Sequence, residues 1–152
     1  MTTHDVHADG FGATAQAVTA VVGDFIARQR PGHGAALADL LTDDAVLDLN
    51  VPRWRFQVGG GAAVADAFAA SYPTGFDTAG WRWEPTPTGA VVEYDGWDGD
   101  HTAYYRHLVL LELRDGRIGR LTLYCTGGWD AGTVARQRRE APMVDDDAAP
   151  RG

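Results

Sequence analysis

The hydrophobic pattern changes character about halfway along the chain. Val18, Val21, Val22, Phe25 and Ile26 recur at helical spacing and predict an amphipathic helix over about 13–29. Arg30-Pro31-Gly32 then stops it. A second, short helix is expected over about 34–41, with Leu37, Leu40 and Leu41 facing inward and Thr42-Asp43-Asp44 as its break. "AVLDLNV" (45–51) alternates apolar and polar, as a half-buried strand does, and Pro52 ends it. "RWRFQV" alternates too and extends the sheet. Gly59-Gly60-Gly61 leads into a third helix over about 62–71, anchored by Val64, Ala67 and Phe68.

Beyond Pro73 the period becomes that of strands. Four segments, 81–86, 90–97, 102–113 and 117–126, are separated by turns at Pro87-Thr88-Gly89, Asp98-Gly99-Asp100 and Asp115-Gly116. Helices first and consecutive antiparallel strands afterwards predict an α+β fold. Residues 1–12, which carry His4 and His7, are expected to form a flexible arm. The single domain spans 13–139, and 140–152 reads as a disordered acidic tail.

Composition narrows the partners. The 152 residues suffice for one domain, and the 45% apolar content suffices for one core. Net charge is −8, and all 13 basic residues are arginine. This acidic balance argues against nucleic acid and against an anionic membrane surface as partners. Cys125 is the only cysteine, so neither an intramolecular disulfide nor a cysteine-rich metal site is available. No apolar run fits a signal peptide or the ~20 residues of a membrane helix, and a cytoplasmic location is expected. The triple glycine lacks the spacing and the lysine of a phosphate-binding loop.

The leading helices, "LLTDDAVLDLNVP", the glycine-led helix and a meander ending "RDGRIGRLTLYCTGGWD" together resemble the nuclear transport factor 2-like superfamily over roughly 14–130. Its SnoaL-like, ketosteroid-isomerase-like and limonene-epoxide-hydrolase-like small-molecule proteins are the nearest likeness. The resemblance implies a cone: a curved antiparallel sheet and three helices from the N-terminal half, enclosing an apolar pocket. It also implies a hydrophobic small-molecule ligand, no cofactor or metal, and frequent homodimers. The expected activity is cofactor-free acid–base chemistry: cyclisation, isomerisation, dehydration or ring opening, as in polyketide and other natural-product biosynthesis. The alternative is a non-catalytic binding or accessory protein of the same fold.

Carried over residue by residue, the likeness departs from the known mechanisms. Relative to the epoxide-hydrolase pattern, "DLNVP" keeps Asn50 and Pro52 but has Asp48 where a tyrosine stands. "EYD" keeps Asp95 but has Glu93 in place of an arginine, and Leu123 occupies the third acidic position. The proton-shuttling aspartate of ketosteroid isomerases falls on Leu49 or Val51. The resemblance still directs positions 48, 50, 93 and 95 into the pocket.

Strand parity supplies the remaining candidates. Tyr105, His107, Val109 and Leu111 share a face. A turn of three residues at 98–100 would set Glu93 opposite Tyr105 and beside His107. A two-residue turn would set Val92 and Tyr94 there instead. The first register gives His107, Glu93, Asp95 and Asp48 as catalytic candidates, with Asn50, Tyr105, Trp54, Trp83, Leu123 and Cys125 contacting substrate. His107 with Glu93 and Asp95 has the makings of an iron or manganese site, but the usual facial triad needs a second histidine. A carboxylate beside His107 would favour an enzyme; a purely apolar pocket would favour a binder.

Overall fold

The computed structural model describes residues 10–31 and 34–144. His4, His7 and the acidic end of the chain lie outside them. Helix α1 (Ala15–Arg28) starts where the Thr14 side chain caps the Ala17 amide, and buries Val18, Val21, Val22, Phe25 and Ile26. A 3-10 segment, Gly34–Leu40, follows and delivers Leu37, Leu40 and the adjacent Leu41 to the core. Strand β1 (Leu41–Val51) is longer than its alternation suggested, because a register shift between Leu41 and Val46 absorbs the acidic Thr42-Asp43-Asp44 stretch. Next come β2 (Trp54–Gly59) and helix α2 (Gly61–Ser71), with Val64 and Phe68 buried.

Strands β3 (Phe76–Thr86), β4 (Gly89–Asp98), β5 (Tyr104–Arg114) and β6 (Arg117–Cys125) form an antiparallel meander. The sheet order is β2-β1-β6-β5-β4-β3. One pair, β1–β6, is parallel, so the sheet is mixed rather than wholly antiparallel. It is curved and not closed into a barrel, and its concave face takes the N-terminal helices. Two features depart from the expected plan. A further helix, α3 (Ala131–Glu140), follows the sheet, capped by Asp130, whose carboxylate accepts from the Thr133 amide. Residues 10–12 are docked: the Gly12 amide donates to the Leu113 carbonyl, and the Phe11 ring lies under the Arg114 guanidinium, 5.5 Å from it.

The core is one cluster that joins α1, the 3-10 segment and α2 to the concave sides of β1, β6, β5 and β4. Along β5 that side carries His107, Val109, Leu111 and Leu113, all buried. The opposite side carries Arg106, Leu108, Leu110 and Glu112. The expected parity of β5 therefore holds.

Candidate functional site

The pairing of β4 with β5 decides the chemistry of the concave face. Tyr94 stands opposite His107, Glu93 opposite Leu108 and Asp95 opposite Arg106. The connection runs from Asp98 to Ala103, longer than the expected three-residue turn. The Asp98 carboxylate accepts from the Thr102 amide and hydroxyl, and His101 adopts a left-handed φ of 55°. The resulting parity sends Val92 and Tyr94 inward and turns Glu93 and Asp95 to the convex face. Glu93 is ion-paired there with Arg82 and Arg106 at 2.6 and 2.5 Å, and Asp95 accepts from the Tyr104 hydroxyl at 2.7 Å. Burial works against the Glu93 carboxylate, but the hydrogen bonds from Arg82 and Arg106 outweigh it and hold its pKa below the usual value.

Asp48 and Asn50 are also convex, because Leu47, Leu49 and Val51 take the concave positions of β1. Asp48 is only 2% exposed. Arg55 and Gln57 on β2 donate to it at 2.5–3.0 Å, and Arg120 on β6 stands 3.6 Å away. The Arg55 hydrogen bond first, then that of Gln57, hold its pKa far below normal. Asp48, Glu93 and Asp95 therefore form no part of the concave cavity, and their side chains point to the sheet face opposite the His107 imidazole. Asn50 donates to the Leu123 carbonyl at 3.4 Å. Among the described residues, no group of three or more His, Cys, Asp or Glu side chains is placed to hold a metal ion.

A cavity of about 270 Å³ opens between α2 and the concave ends of β1, β5 and β6. Leu47, Leu49, Phe68 and Leu123 give it apolar walls; Tyr72, Tyr105, Ser71 and Cys125 contribute its polar groups. Tyr105, Leu123 and Cys125, expected as substrate contacts, are among the residues that line this cavity. Trp54 does not line the cavity and is 71% exposed. Trp83 packs against the core from β3, opposite Val92, and does not line it either.

His107 sits behind this wall, 2% exposed. Its ring lies 4.7 Å from Tyr94, 5.2 Å from Phe76 and 5.9 Å from Tyr72, centroid to centroid, and stacks on Tyr105 at 6.0 Å. Burial among these rings pushes its pKa down to about 3, so the imidazole is neutral at physiological pH. Nε2 is 2.8 Å from the Tyr72 hydroxyl, whereas the buried Nδ1 meets no hydrogen-bonding group. An orphaned buried N–H is rarer than an orphaned acceptor, which favours the tautomer protonated on Nε2. In that tautomer the imidazole donates to the Tyr72 oxygen and leaves the Tyr72 proton free to donate onward. Tyr72 faces the cavity, and its current neighbour there is the Cys125 thiol. Burial raises the pKa of both Tyr72 and Cys125, so both stay protonated.

Tyr72 is the residue the sequence reading missed. It follows the predicted end of the third helix and precedes Pro73. The signal was present, since Val64, Phe68 and Tyr72 are spaced four apart on one helical face.

The convex face carries a wider, shallower depression of about 580 Å³ over Glu93, Arg106, Leu108, Tyr124 and Trp129, with His107, Cys125 and Thr126 also in its lining. It is open to solvent and its charges are ion-paired, so the concave cavity is the better candidate for chemistry.

No family model matches the sequence, and no curated protein matches it. Solved structures do. An NTF2-like protein from Anabaena variabilis is 20% identical, with a TM-score of 0.61 over 84% of this chain and 96% of that one. A candidate ketosteroid isomerase from Kribbella flavida is 17% identical, with a TM-score of 0.62 over 90% and 96%. A candidate polyketide cyclase from Xanthomonas campestris is 21% identical, with a TM-score of 0.59 over 72% and 90%. Element order, sheet topology and these likenesses agree: the chain has the nuclear transport factor 2-like fold.

Proposed function

We propose that the concave cavity binds a hydrophobic small molecule through a carbonyl or hydroxyl oxygen and promotes its isomerisation or ring closure. The observation that carries this reading is the buried His107–Tyr72 hydrogen bond, which ends at the cavity wall. A polar group buried in an apolar core is costly unless it is hydrogen-bonded, and the His107–Tyr72 bond pairs Nε2 with the hydroxyl at the cavity wall. Here the neutral imidazole fixes the Tyr72 hydroxyl and polarises it towards the cavity. A substrate oxygen replacing the Cys125 thiol as acceptor would receive that hydrogen bond. No described lining side chain is an ionised base, so the α-proton lost in enolisation would pass to solvent water at the cavity mouth, and the charge left on the oxygen would be stabilised by the preorganised Tyr72 donor. Tyr105 also lines this space. This chemistry needs no cofactor and differs from the carboxylate-based mechanism expected from the resemblance. His107 becomes a positioning residue rather than a general base. The names of the structural neighbours, isomerase and polyketide cyclase, point to the same class of substrate.

The second reading is a non-catalytic binder of the same ligand class. The absence of an ionised side chain among the described cavity-lining residues favours it. One experiment separates the two. Tyr72→Phe is assayed against a panel of hydrophobic ketones for both binding and turnover. Loss of turnover by ~10²–10³ with binding retained supports the enzyme, as for removal of one oxyanion donor. Saturable binding with no turnover by either protein supports the binder. Absence of saturable binding to any ketone contradicts both. The wider assembly belongs to the same proposal: a cytoplasmic homodimer packed through the convex face, where Leu108 and Tyr124 are half-exposed.

A further inference from the structure

The cavity has an apolar extension that its own walls do not use. Pairing sets Val51 opposite Trp54, Leu49 opposite Phe56 and Leu47 opposite Val58. Cross-strand partners project on the same side of a sheet. Leu47, Leu49 and Val51 line the cavity, so Trp54, Phe56 and Val58 project on the same side of β2, next to the lining residues. Two observations confirm the parity: Val58 packs against the core, while the intervening Arg55 and Gln57 bond Asp48 on the convex side. Exposure rises along this side, from Leu47 at 2% to Phe56 at 39% and Trp54 at 71%. The cavity therefore opens towards the β1–β2 turn. That turn is held in place: Arg53 has φ 66°, and a Cβ at Gly127 would come 3.0 Å from the Pro52 ring, so Pro52 lies against the cavity rim. At about 270 Å³ the enclosed space falls just under the ~300–1,000 Å³ of sites that hold drug-sized ligands.

We infer that Trp54 and Phe56 form an aromatic lip of the site, and that its ligand is longer than the cavity. One end carries the oxygen that meets Tyr72, and an apolar, ring-bearing arm lies across β2. This rests on the pocket function proposed above and specifies its substrate class. The lip is continuous with the cavity, and it offers two rings of low conformational cost to a planar apolar body.

Two probes with the same carbonyl test it on the full chain. Acetophenone fills only the cavity; dihydrochalcone is the same aryl ketone with a benzyl arm. Dissociation constants are measured for both with the unaltered protein, Trp54→Ala and Trp54→Gln. The affinity gain of dihydrochalcone over acetophenone is expected to fall ~10-fold in both variants, in the range of lost aromatic contacts. An unchanged ratio overturns the lip and leaves the pocket standing. An unchanged ratio with an altered sedimenting mass also overturns it, and assigns Trp54 to a contact between copies. Failure of either ketone to bind saturably overturns the pocket and the lip together.

Discussion

At the residue scale the account turns on one hydrogen bond. If His107 positions Tyr72, then His107→Gln, which can still donate to the Tyr72 oxygen, retains most of the activity. His107→Leu is expected to lose nearly as much as Tyr72→Phe, and steady-state kinetics on a turned-over ketone compare the three. The same burial makes a stability prediction. The folded-state pKa of His107 is depressed, so the unfolded chain binds the proton more readily. The stability this contributes is full above the unfolded value of about 6.5 and is lost as pH falls towards 3. Between pH 7 and pH 5 the loss amounts to about 2 kcal/mol. Urea unfolding at the two pH values should show it, and His107→Gln should remove it. Asp48 has a depressed pKa too, but its contribution disappears only at lower pH, below the usual carboxylate value of 3.8.

At the scale of elements, the convex charges explain what the sequence could and could not reveal. The alternation in "AVLDLNV" already placed Leu47, Leu49 and Val51 on one face and Asp48 and Asn50 on the other. The family likeness pointed the polar set inward, and the local pattern proved right. Carboxylates in an apolar wall would lie unpaired, whereas on the convex face arginines from neighbouring strands meet them. Those arginines could not be assigned partners from sequence, because Asp48–Arg120 and Glu93–Arg106 depend on cross-strand register. Register in turn depended on the Asp98–Ala103 connection, whose length is fixed by side-chain caps rather than by strand periodicity. The parity of β5 was legible because Arg106 and Glu112 put charges on one face, whereas Val109, Leu111 and Leu113 on the other are all apolar. Helix α3 was not, since only Val134 is buried and the segment carries almost no apolar period. A test belongs to this scale. Asp48→Ala removes the acceptor shared by Arg55 and Gln57, and should destabilise the chain by ~1–3 kcal/mol in urea unfolding, with cavity binding unchanged. The half-exposed Arg55 keeps that figure towards its lower end.

At the scale of the molecule, the two faces of one sheet divide the labour. The concave face encloses a neutral, hydrogen-bonding cavity. The convex face presents Leu108 and Tyr124 among ion pairs, a surface that suits a second copy of itself. Sedimentation at micromolar concentration is expected to give twice the 16.3 kDa chain mass. Leu108→Arg should shift it towards the single chain, and a wild type that sediments at 16.3 kDa contradicts the dimer.

The central claim is that the Tyr72 hydroxyl, fixed by His107, donates to the oxygen of a bound ligand. The carbonyl stretch of protein-bound acetophenone, read by difference infrared spectroscopy, reports that bond directly. The account predicts a lower frequency in the wild-type protein than in hexane, largely restored by Tyr72→Phe. Equal frequencies for ketone bound to the two proteins would contradict it.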